Sequence, residues 1–349
     1  MENEKRYFAA ANGFSGFRSY FDEIFSPENY DRIYILKGGP GTGKSSFMKK
    51  IKNEATERGA ECEEILCSSD PNSLDGIICE KNSKKIAILD GTAPHERDAK
   101  IPGAIDEIIN LGESWDSRWL CSQREKILSL SKEKKRAYKN AYSYLSIAGA
   151  ANAEICKTSG EMYKQKNAKN KIKSIAELFS TGKTPKSSTR LITSFSKDGE
   201  VRLNTYSIVA DKVFSVSCER EICHLFMGDL TEELVRRGID FTRFPTVFDD
   251  KKTEGVFIHE TKTAYIVDGD GEALDLSEIS STDKRVDLEG AKLLKRIESD
   301  SLLEASRWFG IASDFHFRLE EIYSRSMDFE KNEKIICRKL KEISAILEL

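Results

Sequence analysis

The sequence has no long apolar run, no C-x-x-C pair and almost no net charge. Its apolar runs fall well short of the roughly 20 residues that a membrane-spanning helix needs, so we expect no membrane partner. Without a C-x-x-C pair a structural zinc site is not expected. The formal net charge of -3 predicts no bulk attraction to nucleic acid or to a membrane surface.

The first residues also lack the apolar stretch of a secretory signal. Residues 1–5 are polar and acidic, which predicts a cytoplasmic location. In that compartment the eight cysteines are expected to be free thiols, mainly buried small apolar residues. With 349 residues, 39% hydrophobic and 32% charged, the chain is long enough for two globular domains.

A glycine-rich stretch follows the first strand-like segment. Residues 32–37 are β-branched and aromatic, which indicates a buried strand that ends at Gly38-Gly39. After Lys44, apolar residues recur at helical spacing until Gly59, which predicts a helix. The order strand, glycine loop, helix makes a chance glycine-rich turn the weaker interpretation.

This order gives the motif a physical meaning. Glycines bring backbone N–H groups close to phosphate oxygens, and the helix N-terminus adds a partial positive charge. Lys44 is expected to bridge the β- and γ-phosphates of ATP, and the Ser45 hydroxyl to bind Mg²⁺. The candidate nucleotide-binding residues are Gly38, Gly39, Pro40, Gly41, Thr42, Gly43, Lys44, Ser45 and Ser46.

A carboxylate at the end of a second buried strand supports the same prediction. Residues 85–90 form an apolar run that ends at Asp90, which would hold Mg²⁺ together with Ser45. The alternative is a strand that simply ends at an Asp-Gly turn. Beside a glycine-rich loop of this kind, we favour the metal role.

The group that orients the attacking water is less defined. His95 and Glu96 follow the Asp90 strand, and Asp70 lies in a turn after the strand at residues 64–67. The carboxyl ends of strands border the ligand crevice in open α/β sheets, so both loops are expected near the phosphates. For each of the three candidates, an ordinary turn or surface residue remains the alternative.

Five segments together resemble a known family. They are residues 14–17, 38–45, 70–75, 90–95 and 102–112. The sequence is similar to a bacterial family of uncharacterised P-loop proteins that are described as ATPases or ATP-binding proteins, densely over residues 11–120 and weakly afterwards. The resemblance implies ATP binding, often two P-loop halves in tandem, and a site that includes Asp70, Asp90 and His95.

The sequence also repeats itself. Arg58-Gly59 recurs as Arg237-Gly238 at an offset of 179 residues, and Gly76 recurs as Gly255 at the same offset. Residues 88–91 recur as residues 266–269. We therefore predict two homologous α/β halves.

The second half lacks the binding motif. At the offset of 179, Gly43, Lys44 and Ser45 are replaced by Ile222, Cys223 and His224. We expect no nucleotide in this half, because a β-branched residue does not readily adopt a left-handed backbone. A metal site at Cys218, Cys223 and His224 is the alternative to simple packing. Arg220 or Arg243 could also extend to the γ-phosphate, with a surface salt bridge as the alternative.

Each half continues into a long helical stretch. Residues 121–180 contain no proline, and residues 285–348 have the same helical spacing of apolar residues. Residues 148–151 predict either a close helix crossing or a turn. Residues 124–190 carry 16 basic and five acidic side chains, so this arm could bind nucleic acid or another polyanion, with a solvated lysine-rich face as the alternative.

The resulting prediction is an α/β protein with a P-loop NTPase sheet, a degenerate second copy and a helical appendage on each half. The boundaries are 1–120 for the active domain, 121–182 for the basic arm, 183–189 for a linker, 190–282 for the second α/β half and 283–349 for the last arm. Thr181-Gly182-Lys183-Thr184 belongs to the end of the arm and the linker, because no strand precedes it. The expected function is an ATPase that couples hydrolysis to a conformational change or a partner; a kinase and a non-catalytic ATP-dependent switch are the alternatives.

Overall fold

The computed structural model describes residues 4–280 and 288–348 of the chain. The described part of the first half contains eight strands and five helices. These are β1 (Lys5–Phe8), β2 (Ala10–Gly13), β3 (Gly16–Ser19), α1 (Phe21–Ile24), β4 (Arg32–Lys37), α2 (Lys44–Glu57), β5 (Glu61–Leu66), β6 (Leu74–Lys81), β7 (Lys84–Asp90), β8 (Asp106–Asn110), α3 (Ser117–Ser122), α4 (Arg124–Gly160) and α5 (Gln165–Ala176).

The described part of the second half contains eight further strands and four helices. These are β9 (Ser187–Thr189), β10 (Thr193–Ser196), β11 (Gly199–Arg202), α6 (Thr205–Val209), β12 (Lys212–Val216), α7 (Arg220–Arg237), β13 (Phe241–Pro245), β14 (Thr253–Ile258), β15 (Thr263–Val267), β16 (Glu272–Ala273), α8 (Leu288–Arg325) and α9 (Phe329–Leu347). The predicted boundary between residues 282 and 283 falls outside the described residues.

The two halves have the same sheet topology. The first six-stranded sheet has the order β1-β5-β6-β7-β4-β8, and the second has the order β9-β13-β14-β15-β12-β16 when it is read from its corresponding edge. Parallel and antiparallel pairings match strand for strand along both sheets. The mixed α/β fold and the duplication predicted from the sequence are therefore present.

Irregularities of the two sheets match as well. The register shifts between Ile65 and Leu66 in the first sheet, and between Phe244 and Pro245 in the second. Gly76 lies opposite Ile65 and Gly255 lies opposite Phe244, at the same offset of 179 residues. A bulge at corresponding positions is a specific feature, because it changes strand direction and twist locally.

The helical arms are exchanged between the halves. The long helices α4 and α8 pack along each other. Beyond them, α5 packs on α7 of the second half, and α9 packs on α2 and β7 of the first half. Two isolated β-bridges show the same exchange. Trp115 of the first half pairs with Met327 before α9, and Tyr163 before α5 pairs with Ser280 of the second half.

The linker and the first helical arm differ from the sequence prediction. Residues 187–189 were expected within a linker, but they form β9, which pairs in parallel with β13 at the edge of the second sheet. Residues 121–182 were expected as one arm, but α4 and α5 pack against different neighbours. In both cases the packing partner lies far along the chain, so local composition does not reveal it.

The small-residue run at 148–151 lies inside α4, so it is not a turn. A Cβ atom at Gly149 would lie 2.6 Å from Cβ of Phe14, so glycine lets the helix approach the β2–β3 hairpin closely. Within the described ranges, no helix has the length and apolar character needed to span a bilayer.

Candidate functional site

Residues 38–43, here called the glycine-rich loop, connect β4 to α2. Gly41 has φ +69° and Gly43, the N-cap of α2, has φ +87°. These values lie in the left-handed region, which glycine adopts without steric cost. The first turn of α2 contains no acidic residue, and no side chain caps it. Its free N–H groups and partial positive charge therefore favour an anion at this position.

The Lys44 side chain folds back over the glycine-rich loop. Its Nζ donates hydrogen bonds to the carbonyl oxygens of Gly39 (2.8 Å) and Gly38 (3.2 Å). It also lies 3.6 Å from Oδ2 of Asp90. This ammonium group is therefore held at the mouth of the loop with a carboxylate beside it.

Asp90 lies where its place in the sequence predicts. It ends β7, which pairs in parallel with β4, so that Asp90 is next to Leu36 at the carboxyl edge of the sheet. Its Oδ1 accepts hydrogen bonds from the N–H (2.8 Å) and the hydroxyl (2.6 Å) of Thr92. The Ser45 hydroxyl accepts from the N–H of Leu74 at 3.1 Å. Both side chains line the cavity described next.

A cavity of about 710 Å³ opens above the loop. Its size falls within the range of small-molecule sites, roughly 300–1,000 Å³. The first half supplies the glycine-rich loop, the first turn of α2 and residues that follow β5 and β7. The remaining walls come from α4, α8, the first residue of α9 and the turn between β10 and β11, so parts of both halves enclose it.

The three candidates for orienting a reacting group lie in different environments. Asp70 lines the cavity and its Oδ1 accepts from the N–H of Asn72 at 3.1 Å within a turn. His95 also lines the cavity, but its Nε2 lies 3.0 Å from Oδ2 of buried Asp75. Glu96 is exposed and lies outside the cavity lining.

His95 is held rigidly. Its ring stacks on Phe21 with a centroid distance of 4.4 Å, and His95 is only 7% exposed. Within the described part of the chain its Nδ1 has no hydrogen-bond partner. The His95–Asp75 pair therefore joins the loop after β7 to β6 at the edge of the cavity.

Four ionisable side chains that no sequence pattern indicated also line the cavity: Lys134 on α4, Lys197 in the β10–β11 turn, and His316 and Glu320 on α8. None of them belongs to a recognisable motif, and they lie far from the glycine-rich loop in the sequence.

Three of these residues form a chain of contacts. Lys134 Nζ lies 3.1 Å from Nδ1 of His316, and Nε2 of His316 lies 3.5 Å from Oε1 of Glu320. Burial lowers the pKa of Lys134, and the nearby positive charge of Lys44 lowers it further. The hydrogen bond to His316 holds the pKa of Glu320 below its usual range against the effect of burial, and the charge of Lys44 acts in the same direction.

The C-terminal arm lies directly on the glycine-rich loop. The Ser324 hydroxyl donates to the Gly41 carbonyl at 3.2 Å, and Asn332 Nδ2 donates to the Thr42 carbonyl at 3.0 Å. A Cβ atom at Gly39 would lie 2.7 Å from the Tyr323 ring. The absence of a side chain at Gly39 therefore allows the close approach of α8.

The corresponding region of the second half has a different construction. Only residues 217–219 separate β12 from α7, whereas residues 38–43 separate β4 from α2. The helix begins earlier, so Ile222, Cys223 and His224 are buried within it. There is no glycine loop at this position, in agreement with the replacements seen in the sequence.

Two cysteines of this segment differ from the sequence prediction. Cys218 and Cys223 were expected to be free thiols, but they form a disulfide because the start of α7 brings their Cα atoms to 5.9 Å. The His224 ring instead contacts the Thr253 carbonyl through Nδ1 at 3.1 Å. The described residues contain no group of three or more His, Cys, Asp or Glu side chains arranged to hold a metal ion.

The two arginines considered as partners of the γ-phosphate lie elsewhere. Arg243 donates to the Thr253 hydroxyl at 2.8 Å and to the Asp250 carbonyl at 2.7 Å. The Arg220 guanidinium lies 5.9 Å from the centre of the Phe248 ring. Neither side chain lines the cavity.

Comparisons with known proteins gave no match. No protein-family model, no curated protein and no solved structure is significantly similar to this chain. The resemblance noted from the sequence therefore stays an expectation, and the chemistry of the cavity carries the functional argument.

The second half contains a buried acid whose titration is expected to affect stability. Glu254 corresponds to Asp75 at the offset of 179, and its carboxylate accepts from the Thr193 hydroxyl at 2.8 Å. Burial raises the pKa of Glu254 to about 7, although the charge of Arg202 opposes this. The folded protein then holds a proton that the unfolded chain has released, so stability falls as pH rises from about 4.5 to 7.

We expect Glu254→Gln to remove this dependence. The difference in free energy of unfolding, variant minus wild type, should increase by up to about 3 kcal/mol from pH 5 to pH 8. A pKa raised from about 4.5 to about 7 corresponds to roughly that energy. Urea denaturation at both pH values measures it. The control is Glu232→Gln, an exposed acid on α7 of the same half, which should leave the pH dependence of stability unchanged. An unchanged difference between wild type and Glu254→Gln at the two pH values would show that Glu254 titrates normally.

Proposed function

We propose that this protein binds a nucleoside triphosphate, taken here as ATP, together with Mg²⁺ and hydrolyses it. The observation that carries the proposal is the position of Lys44. It lies at the start of α2, next to two left-handed glycines and beside Asp90, and it faces a cavity of about 710 Å³. This is the arrangement that a P-loop requires for binding phosphate.

The residues have separate roles in this proposal. The backbone N–H groups of the loop and of the first turn of α2 hold the phosphates, and Lys44 neutralises their charge. The Ser45 hydroxyl and the Asp90 carboxylate fit the oxygen ligands that Mg²⁺ prefers. When bound, the metal neutralises the charge of the phosphates. Asp70 and His95 border the same cavity and are the candidates for positioning water.

The enclosure of the cavity favours an ATPase that moves its own helices. Part of the wall is formed by α4 and α8, and Ser324 and Asn332 bond directly to the glycine-rich loop. We expect a nucleotide that enters or leaves to alter these contacts. Hydrolysis could thereby control the position of the arms, which is the coupling proposed here.

A titration tests the proposal. Calorimetry with ATP and Mg²⁺ should give one site per chain, because only the first half has the glycine-rich loop. Phosphate release should then occur in the absence of any added acceptor. Absence of binding would exclude the proposal, whereas binding without phosphate release would favour the switch. Phosphate transfer that depends on an added small molecule would favour the kinase.

We expect Asp90→Asn to lower Mg²⁺-dependent turnover by about 10- to 100-fold, because the amide keeps the shape and loses the charge that attracts the metal. Nucleotide binding without Mg²⁺ should be as tight as in wild type or tighter, since one negative charge near the phosphates is gone. Phosphate release measured against Mg²⁺ concentration tests this. The matched control is Asp98→Asn, an exposed acid that pairs with Lys37. Equal activity of Asp90→Asn and wild type would place the metal elsewhere.

A further inference from the structure

The cavity contains a positive charge that the proposed roles leave unused. Lys134 projects from α4 into the same cavity as Lys44. In residues 4–280 and 288–348, no carboxylate lies within 4.0 Å of its Nζ, and its nearest polar contact is the His316 ring at 3.1 Å. A half-buried ammonium group that shares a cavity with a second lysine is unfavourable unless an anion binds there.

Glu320 supplies a carboxylate to the same cavity. A Cβ atom at Gly41 would lie 2.8 Å from the backbone oxygen of Glu320, so α8 is packed tightly against the glycine-rich loop here. The Glu320 carboxylate lines the cavity and contacts His316, which in turn contacts Lys134. The charge of Glu320 stabilises the protonated form of Lys134, and the charge of Lys44 stabilises the ionised form of Glu320.

We propose that the terminal phosphate of the nucleotide lies between Lys44 and Lys134, in place of the Glu320 carboxylate. This inference rests on the proposed function, since it concerns the same cavity. A terminal phosphate carries more negative charge than a carboxylate and offers three oxygens, so it can accept from both lysines. It cannot share one site with the Glu320 carboxylate, because two anions close together repel each other.

Two consequences follow from the position of these residues. Lys134 contacts only the terminal phosphate, so it distinguishes a triphosphate from a diphosphate. Glu320 must withdraw when that phosphate is present, and it belongs to α8, which also carries Ser324 on the glycine-rich loop. The long helices α4 and α8 therefore respond to the presence of the terminal phosphate.

Calorimetry with ATP and with ADP tests the role of Lys134. We expect Lys134→Met to weaken ATP binding by about tenfold or more, the loss typical of a charge-assisted contact, and to leave ADP binding within about twofold of wild type. Lys134→Arg should recover most of the ATP affinity. The control is Lys132→Met, an exposed lysine on the same helix, which should change neither affinity.

Glu320→Gln provides an independent test. It removes the charge that competes with the terminal phosphate, so ATP binding should become several-fold tighter while ADP binding changes little. If Lys134→Met folds poorly, this variant still decides the question. Equal effects on ATP and ADP, or no effect on ATP in either variant, would overturn the inference. Failure of wild type to bind either nucleotide would instead remove the proposed function itself.

Discussion

Lys44→Ala is expected to abolish detectable turnover and to weaken ATP binding by about one to two orders of magnitude. Lys44 is the cation at the mouth of the glycine-rich loop, and a charge-assisted contact to phosphate contributes about 1.5–3 kcal/mol. Calorimetry and phosphate release measure the two effects. Unlike the loss at Lys134, this loss should affect ATP and ADP alike, because Lys44 also faces the inner phosphate.

The matched control is Lys49→Ala. Lys49 lies on the same helix, is exposed and donates to the Asn72 carbonyl at 2.9 Å. Its removal should leave nucleotide affinity unchanged. Because Lys44→Ala also loses two hydrogen bonds to the loop, its folding must be checked. The test is valid if its melting temperature stays near that of wild type. A folded Lys44→Ala protein with wild-type affinity and turnover would contradict the assignment of the site.

Local sequence pattern was sufficient to predict the strand and helix that flank the glycine-rich loop. The strand at residues 32–37 and the helix from Lys44 were predicted with the boundaries that the structure has, apart from the last residues of the helix. Both predictions rest on hydrophobic periodicity and on glycines that mark the ends of the elements, and these signals extend over only a few residues. The position of Asp90 followed from the same reasoning, because carboxyl ends of neighbouring parallel strands lie at one edge.

The duplication could also be predicted from the sequence, because matching glycines at a fixed offset mark equivalent turns and bulges in the two halves. Gly76 and Gly255 each lie opposite the bulged strand, where a Cβ atom would contact Phe25 in one sheet and Ile266 in the other. Close packing of this kind excludes larger residues. Glycines of this type therefore keep their positions while most neighbouring residues differ between the halves.

The walls of the cavity could not be predicted in this way. Lys134, His316 and Glu320 enter the site only because α4 and α8 pack along each other, and helical spacing does not specify which helices meet. The same limit applies to β9, whose three residues pair with a strand about 50 positions later. Long-range pairing depends on the complete fold, so a single sequence carries little direct signal for it.

The exchange of α5 and α9 makes the two halves dependent on each other. Ile343 lies on α9 of the second half and is 1% exposed, within a cluster that contains Phe47 and Met48 of α2. Asn332, also on α9, bonds to the glycine-rich loop. A change in the last helix of the chain should therefore affect the first domain and the candidate site.

Ile343→Ala is expected to lower the free energy of unfolding by about 2–5 kcal/mol, because it removes buried methyl groups and leaves a cavity between α9 and α2. Urea denaturation measures the loss. Lys341→Ala, an exposed position on the same helix, is the control and should change stability by less than about 0.5 kcal/mol. Nucleotide affinity should fall in the Ile343 variant only, since the glycine-rich loop loses its support.

Hydrogen exchange distinguishes this explanation from a local effect on the C-terminal arm. If α9 is part of the first core, amides of α2 and α9 should lose protection together in Ile343→Ala, because the two helices share one buried cluster. If α9 were only attached to the surface, its own amides would exchange faster while those of α2 kept their protection. That second pattern, with an unchanged unfolding midpoint, would show that the exchanged arm does not stabilise the first half.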